Sequence, residues 1–384
     1  MRAAALALVC FLVGACFEPA PHEGFACGLD NWCPGPLLCA ADHTCRSANS
    51  PGDGGVDDGG PQGPSNYAFV TSQTFLAKSL MTVTGADSEC MKAAAAASLP
   101  GRYVAWLSVP GQSARDRLGA ASGWHRTDGK PFARDFPMLT EGNIFYPLRK
   151  TETGADLSDY VLTGTDDLGK PAGEDCLGLT SSSPLEVIFI GESTGGTHLW
   201  TNPTDTTCDQ SGHLYCLQID YQQPVVPARE SGPLAFLSTP YMPKGELIGA
   251  DAHCMDDAAS GNISGKFQAL LSTTTMAALD RFKPLPSTPW VRLDGVATTR
   301  DFVTWDAPIN VTVSGAYADL QAYAGATSPA QQSLSLNDSC NDWAGGNSAL
   351  LGNAASASTK AFGFTSTSTT GTCMADSLYC LQVP

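Results

Sequence analysis

The sequence is short of positive charge, of histidine and of long apolar segments. Lysine and arginine together number 21 against 38 aspartate and glutamate residues, which gives a formal net charge of −17 at pH 7. This surplus of negative charge disfavours nucleic acid as a partner and electrostatic docking on anionic lipid. Beyond the first fifteen residues, no segment is apolar over a length that could cross a bilayer, so we expect a soluble body.

The few histidines do not form a metal-binding pattern. They are His22, His43, His125, His198, His213 and His253. None of them stands at the spacing of a known metal motif. The acidic pair Asp166-Asp167 could contact a cation, but a solvated turn explains it better. We therefore predict no metal site and no cofactor.

The first residues have the pattern of a signal peptide, which we assign to residues 1–15. Arg2 supplies the positive start, and residues 3–15 are apolar or small. Their end, LVGAC, resembles the lipobox of bacterial lipoproteins, which implies cleavage after Ala15 and a diacylglycerol thioether on Cys16. Residues 16–26 would then be a lipidated N-terminal segment that anchors the protein to a membrane. The alternative is an ordinary secretory signal followed by an incidental cysteine.

The residues after Cys16 bear on the location of the protein. Phe17 and Glu18 follow, so the common inner-membrane retention signal, an aspartate next to the lipidated cysteine, is absent. We expect a lipid-anchored bacterial protein of the outer membrane or cell surface. Cysteines exported to an oxidising compartment are expected to form disulfides.

A small cysteine-rich segment follows at residues 27–45. Its cysteines, six residues apart, are Cys27, Cys33, Cys39 and Cys45. So short a segment cannot bury a core, so two disulfides of undetermined pairing would hold it. Zinc is disfavoured because the spacing is not C-x-x-C. The segment resembles small N-terminal knots of the Dickkopf kind, and the Gly-, Pro-, Ser- and Asp-rich residues 46–66 are predicted to be a disordered linker.

The remaining cysteines reveal an internal duplication. In the first set, Cys90, Cys176, Cys208 and Cys216, the gaps are 86, 32 and 8 residues. In the second set, Cys254, Cys340, Cys373 and Cys380, they are 86, 33 and 7. The motifs GADSECM and GADAHCM, W-x-R-x-D-G and LYCLQ recur in the same order. The chain therefore contains two tandem copies.

Each copy mixes helical and strand patterns, which predicts an α+β fold. In the first copy, Asp87 or Ser88 is predicted to cap a helix through CMKAAAAAS that places Cys90 toward the core. Strands are predicted at YAFVTS, GRYVAWLS and LYCLQID, and a short helix at SARDRLGAA. Trp124 and Trp290 recur at one position, which indicates core packing rather than a ligand platform.

This arrangement resembles endostatin-like domains of the C-type lectin-like fold. It is closer still to tandem copies in bacterial surface lipoproteins of unknown function, which share a helix cysteine, a middle cysteine pair and an L-Y-C tail. The first copy departs from that family at Leu179, where a tryptophan is expected, whereas the second copy keeps Trp343. Calcium-dependent sugar binding is disfavoured because the E-P-N or Q-P-D and W-N-D motifs of such lectins are missing.

The resemblance implies two disulfide-bonded domains, at residues 67–219 and 234–384, joined by a linker at 220–233. It also implies that outer cysteines pair with each other and inner cysteines with each other, although spacing alone allows three connectivities per domain. The implied pairs are Cys90 with Cys216, Cys176 with Cys208, Cys254 with Cys380, and Cys340 with Cys373.

One stretch imitates a catalytic motif. Residues 186–196, EVIFIGESTGG, fit the G-x-S-x-G nucleophile elbow around Ser193. An elbow needs a helix after the serine, but a threonine-rich stretch broken by proline follows, and the second copy has no such motif. We therefore predict that Ser193 lies in a surface loop and that the chain has no catalytic residue.

These observations favour a binding or adhesion lipoprotein over an enzyme. A monomer is expected, whose lectin-like loops recognise an extracellular glycan, protein or matrix ligand. One alternative is a structural envelope protein without a specific ligand. The other is a serine hydrolase that uses Ser193.

Overall fold

The computed structural model describes residues 37–39, 45–47, 65–345, 351–356, 369–373 and 375–383. The predictions for the signal peptide, for Cys16, Cys27 and Cys33, and for most of the linker at 46–66 lie outside the described residues. Contacts divide the chain into two compact units, residues 1–60 and 61–384. No helix of the described part is both long and apolar enough to span a membrane.

The first unit contains one antiparallel strand pair. Its strands are β1 (Leu37–Cys39) and β2 (Cys45–Ser47). The backbones of Cys39 and Cys45 stand opposite each other in the register.

The second unit contains both copies, and the first begins at Asn66. The strands of this copy are β3 (Asn66–Val70), β4 (Phe75–Leu76), β5 (Tyr103–Ala105), β6 (Trp124–Arg126), β7 (Pro131–Ala133), β8 (Tyr160–Leu162), β9 (Val187–Glu192), β10 (Thr204–Thr207), β11 (Ser211–Gly212) and β12 (Tyr215–Gln218). Its helices are α1 (Ala77–Leu80), α2 (Val83–Ala96), α3 (Ala114–Arg117), α4 (Phe136–Thr140) and α5 (Cys176–Leu179).

The second copy repeats most of these elements. Its strands are β13 (Leu234–Leu237), β14 (Lys266–Ala269), β15 (Val291–Arg292), β16 (Gln321–Tyr323), β17 (Leu351–Ser356), β18 (Thr369–Thr372) and β19 (Tyr379–Val383). Its helices are α6 (Glu246–Ser260) and a 3₁₀ helix, Ala278–Phe282. The described chain is thus a mixed α+β fold.

One central sheet forms the frame of each copy. In the first copy the strand order is β5-β12-β3-β6-β7, with β3 and β6 parallel and the other neighbours antiparallel. In the second copy the order is β14-β19-β13-β15, again with one parallel pair, β13 and β15. The strand LYCLQ therefore occupies the same inner position in both copies, and a smaller three-stranded sheet accompanies each central sheet.

Strand β3 is buried on both faces, which explains the apolar run Ala68-Phe69-Val70 within it. Successive side chains of a strand point to opposite faces. Accordingly Phe69 packs into one apolar cluster with Cys90 and Cys216, whereas Ala68 and Val70 belong to another. In β13, Phe236 and its neighbours divide between two clusters in the same way.

The long helix of the first copy starts earlier than its sequence predicts. Thr82 is the N-cap, and its side chain accepts a hydrogen bond from Gly85 N. The prediction of a cap at Asp87 or Ser88 is wrong, because Asp87 has a tertiary partner instead. Its Oδ1 accepts the Ala105 amide at 2.8 Å and pairs with Arg117. The helix is thereby tied to the edge of the central sheet.

The second copy repeats this tie. Asp251 Oδ1 accepts the Ala269 amide at 2.9 Å, and Arg281 pairs with the same carboxylate at 2.6 Å. In both copies the arginine also donates to the carbonyl of the strand residue. The dipeptide Asp-Arg stands at equivalent places in both copies, Asp116-Arg117 and Asp280-Arg281, and its arginine thus completes a helix-to-sheet clamp.

The two copies contact each other through buried groups. An apolar cluster joins Met138, Phe145 and Tyr146 of the first copy to Val296 and Ala307 of the second. Polar contacts accompany it. Arg292 Nη2 donates to Phe145 O at 3.0 Å, Asn310 Nδ2 donates to Thr197 Oγ1 at 3.0 Å, and Ala297 N donates to the Tyr146 hydroxyl at 3.0 Å. Burial raises the pKa of Tyr146 to about 12, so its hydroxyl stays protonated at neutral pH.

Candidate functional site

Ser193 does not lie in a surface loop, so that prediction is wrong. It directly follows strand β9, and it is fully buried. Its Oγ accepts the Asp159 amide at 3.0 Å and donates to Leu157 O at 3.2 Å, while its own amide donates to Asp159 O at 3.1 Å. The serine therefore fastens the chain before β8 to the end of β9.

An acid and a base, Asp159 and His213, lie near each other here, but neither side chain is hydrogen-bonded to Ser193 Oγ. His213 Nε2 lies 3.6 Å from Asp159 Oδ2, and its Nδ1 lies 2.6 Å from Thr71 O. Both hydrogen bonds of Ser193 Oγ go to backbone groups. A nucleophilic serine needs its hydroxyl hydrogen-bonded to a base. Here that hydroxyl is occupied in holding two segments together.

Asp166, His125 and His198 lie against other groups of the protein. Asp166 Oδ1 accepts the amides of Leu168 and Lys170, which makes the predicted turn. His125 Nδ1 contacts Ser65 Oγ at 2.8 Å, and His198 Nδ1 lies 3.7 Å from Asp167. Within the described residues, no cluster of three or more His, Cys, Asp or Glu could hold a metal ion.

Four disulfides join the cysteine pairs that the family resemblance implies. They are Cys90–Cys216, Cys176–Cys208, Cys254–Cys380 and Cys340–Cys373. Each outer bond ties the long helix to the inner strand LYCLQ, with a sequence separation of 126 residues in both copies. Each inner bond anchors a loop outside the central sheet.

These inner disulfides begin at two left-handed turns, which we call the cysteine turns. The first is α5, where Cys176, Leu177, Gly178 and Leu179 have φ of 56°, 54°, 68° and 64°. The second is residues 340–343, with φ of 51°, 58°, 51° and 67°. A left-handed conformation costs a residue with a side chain about 1 to 2 kcal/mol. Four left-handed residues in succession, at the same place in both copies, are the longest such runs among the described residues.

Side chains before and within each turn hold it in place. In the first, Asp175 Oδ1 accepts the Gly178 amide at 2.9 Å. In the second, Ser339 Oγ accepts the Asp342 amide at 3.1 Å. Asp342 also accepts the amide of Thr274 at 2.8 Å and its hydroxyl at 2.6 Å. A strained backbone persists only where the surrounding structure fixes it. These hydrogen bonds fix the backbone of the two turns.

Both ends of each turn are buried, and its middle faces solvent. Leu179 and Trp343, at equivalent positions, are fully buried, and Trp343 Nε1 donates to Ser272 O at 2.9 Å. The second residue of each turn is exposed: Leu177 in the first copy and Asn341 in the second. The two turns thus present different chemistry on the same scaffold.

Further apolar side chains are exposed on the same loops. Leu177 is 62% exposed, and Leu185, within the loop closed by Cys176 and Cys208, is 90% exposed. Leu334 and Leu336, shortly before Cys340, are 92% and 50% exposed. Binding residues concentrate on loops that a rigid scaffold positions, so these side chains are candidates for contact with a ligand.

The recurring W-x-R-x-D-G motif has a structural role in both copies. Trp124 and Trp290 are buried, and each indole donates to the carbonyl of the glutamine in LYCLQ, at 2.9 and 3.0 Å. The prediction that this tryptophan belongs to the core is therefore confirmed. Arg126 pairs with Asp128 at 2.5 Å, and Arg292 pairs with Asp294 at 2.6 Å.

A search against models of known protein families finds no match, and a search of curated proteins finds none either. The site must therefore be judged from its own geometry. Sequence reasoning did not find the cysteine turns, because the residues there that favour a left-handed backbone, Gly178, Asn341 and Asp342, occur just as often in ordinary loops.

Proposed function

We propose that this chain is a non-catalytic surface lipoprotein, anchored through Cys16 at the outer membrane or cell surface of a bacterium. Its two copies are C-type lectin-like, endostatin-like domains, and the cysteine turns with their flanking loops bind an extracellular glycan, protein or matrix ligand. The observation that carries the proposal is the exposure of Leu177, Leu185, Leu334 and Leu336 on loops anchored by the inner disulfides.

Exposed leucines on a preorganised backbone are suited to contact with a ligand. An exposed leucine loses favourable burial in the free protein, and a left-handed leucine adds a conformational cost. A ligand that covers the side chain offsets the first cost, and because the backbone is already in place, binding carries no further cost of ordering it. The disulfides and the Asp175 and Asp342 contacts supply this preorganisation.

The geometry of Ser193 supports a binding role over hydrolysis. Its hydroxyl is buried and hydrogen-bonded to backbone on both sides. A fluorophosphonate probe should therefore leave Ser193 unlabelled. Stoichiometric labelling of that serine would move the protein into the hydrolases.

Binding is tested with the mature chain made soluble by Cys16→Ser. This protein is applied to glycan arrays and to immobilised extracellular matrix proteins. The double variant Leu177→Ser, Leu185→Ser should weaken the binding that is found by at least tenfold. Val303→Ser removes another exposed side chain, 82% exposed, outside the cysteine turns, and should leave binding unchanged. Equal loss in both variants, or no ligand on any surface, would contradict the proposal.

The anchor is tested separately with the natural chain. Metabolic labelling with a fatty acid should modify the wild type, and Cys16→Ser should remove the label and release the protein into soluble fractions. Undiminished membrane retention of the variant would refute lipid attachment at Cys16.

A further inference from the structure

The long helix of each copy covers the outermost strand of its central sheet. These strands, β5 and β14, stand at the end of the strand order, so each has a neighbouring strand on one side only. Backbone groups on the open side of an edge strand need another partner. In the first copy helix α2 supplies it: Asp87 Oδ1 accepts the Ala105 amide at 2.8 Å, and Met91 Sδ accepts the Tyr103 amide at 3.1 Å.

The second copy has the same two contacts. Asp251 Oδ1 accepts the Ala269 amide at 2.9 Å, and Met255 Sδ accepts the Phe267 amide at 3.1 Å. The aspartate and the methionine are four residues apart in both helices, so they lie on one helix face. The motifs GADSECM and GADAHCM thus carry both acceptors.

Of these two acceptors, the methionine sulfur is the one that oxidants modify. Met91 and Met255 are each 38% exposed. A thioether sulfur has two lone pairs, and the amide occupies one of them. The other lone pair remains for an oxidant that reaches the side chain. Met138 provides a contrast, since its Sδ also accepts an amide, that of Arg134 at 3.3 Å, but the residue is only 4% exposed.

We infer that Met91 and Met255 are oxidation sites at which a peroxide opens the edge of the central sheet. The free lone pair of the sulfur attacks one oxygen of hydrogen peroxide. A sulfur–oxygen bond forms as the oxygen–oxygen bond breaks, and the second oxygen leaves as water with both hydrogens. The sulfur loses two electrons to the peroxide, and the thioether becomes a sulfoxide.

The contact with the edge strand does not survive this change. The sulfur lies 3.1 Å from the amide nitrogen in both copies, which leaves no room for an oxygen between them. A sulfoxide oxygen that bonds the amide forces the sulfur away from the strand. A sulfoxide oxygen that points elsewhere leaves the amide beside a poor acceptor. In both cases the amide becomes more accessible to water.

The opening is local and reversible. Cys90 and Cys254 directly precede the two methionines, and their disulfides to Cys216 and Cys380 keep each helix on the inner strand. Sulfoxide reductases return methionine sulfoxide to methionine. The inference goes beyond the proposed binding function and does not depend on a ligand at the cysteine turns.

The experiment treats the mature chain with Cys16→Ser with hydrogen peroxide. Mass spectrometry should find sulfoxide at Met91 and Met255 and none at the buried Met138. Hydrogen exchange, followed at single-residue resolution, should be at least tenfold faster after oxidation at the two amides that the sulfurs accept. Treatment with sulfoxide reductases should restore slow exchange.

Each copy serves as the control for the other. Leucine has nearly the volume of methionine but no sulfur, so Met91→Leu leaves the Tyr103 amide without its acceptor. That amide should exchange fast before and after peroxide, whereas the Phe267 amide should respond to peroxide as in the wild type. Met255→Leu should show the reverse. Met242→Leu removes a methionine that is 55% exposed and precedes helix α6, and it should behave like the wild type.

Three outcomes would overturn the inference. The first is the absence of sulfoxide at Met91 and Met255 at a peroxide dose that oxidises Met242 fully. The second is oxidation of both methionines without faster exchange of the two amides. The third is an undiminished response to peroxide in the double variant Met91→Leu, Met255→Leu, which would place the effect at another residue.

Discussion

The two copies share a frame and differ at the surfaces that the frame presents. In both, an outer disulfide, an Asp-Arg clamp and a tryptophan-to-carbonyl hydrogen bond fix the same strands at the same places. At the cysteine turns, leucine in one copy stands where asparagine stands in the other. At the start of the central strand β3, Asn66 of the first copy binds the backbone of Asp220 and Tyr221, whereas just before β13 the second copy has Pro233 and an apolar pocket beside it. Duplication preserved the groups that hold the fold, while the solvent-facing positions diverged.

Removal of an outer disulfide should cause the largest loss of stability. The loss should be equal in the two copies. Both close loops with a separation of 126 residues. The chain-entropy argument gives each about 5 kcal/mol of stabilisation. Cys90→Ala with Cys216→Ala, and Cys254→Ala with Cys380→Ala, should lower the free energy of unfolding by similar amounts in denaturant titrations. A large inequality would show that one copy depends on its disulfide and the other does not.

Arg292 should contribute more to coupling between the copies than its counterpart Arg126. Both are buried and paired with an aspartate, but Arg292 also donates to Phe145 O in the other copy. Arg292→Met should cost about 3 to 5 kcal/mol, since it leaves buried partners unpaired. Calorimetry should then resolve two unfolding transitions, whereas Arg126→Met should destabilise the protein within one transition. Separate transitions in both variants, or in neither, would contradict this difference.

Ser193→Ala should destabilise the first copy by about 1 to 3 kcal/mol. The substitution leaves the buried Asp159 amide and Leu157 carbonyl without their side-chain partner. Urea unfolding measures the change, and Ser193→Thr, which retains a hydroxyl, serves as the comparison. A change below about 0.5 kcal/mol, the usual range for surface positions, would mean that the serine is not buried as described.

Substitution by glycine should change stability by different amounts in the two cysteine turns. Leu177→Gly removes the left-handed penalty of a leucine that is largely exposed, and should stabilise the protein by about 0.5 to 1 kcal/mol after the entropy of glycine is subtracted. Asn341→Gly should change stability less, since asparagine tolerates this backbone better. Thermal melts of both variants give the comparison. Destabilisation by Leu177→Gly would argue against a left-handed turn.

The smallest effect concerns the loss of stability at low pH, to which Asp342 of the second turn should contribute. Burial alone would raise the pKa of Asp342, but hydrogen bonds from Thr274 and Ser339 lower it overall. A carboxylate with a depressed pKa stabilises the fold above its unfolded pKa of about 4, and this contribution is lost as the pH falls through the folded value. The stability difference between wild type and Asp342→Asn should therefore shrink between about pH 5 and about pH 2. The first turn has Gly178 at this position and offers no such group.

The sequence alone determined the covalent and repetitive features of this protein. Cysteine spacing and repeated motifs reveal the duplication, and the apolar strand LYCLQ and the helix with Cys90 could be placed because burial patterns are local. The recurring tryptophan was assigned to the core on the same basis. Disulfide pairing needed the family resemblance in addition, since three connectivities per copy are compatible with the spacing.

Only the tertiary structure decided the role of groups whose partners are distant in sequence. Asp87 lies inside a helix rather than at its start because its carboxylate meets Ala105 and Arg117 across the sheet edge. Ser193 is buried because residues 157–159 fold back over it. The left-handed turns exist because contacts such as Asp175 with Gly178, Thr274 with Asp342 and the inner disulfides offset a backbone cost that no local pattern would favour. A sequence pattern records burial and periodicity, whereas these roles depend on which atoms meet after the chain has folded.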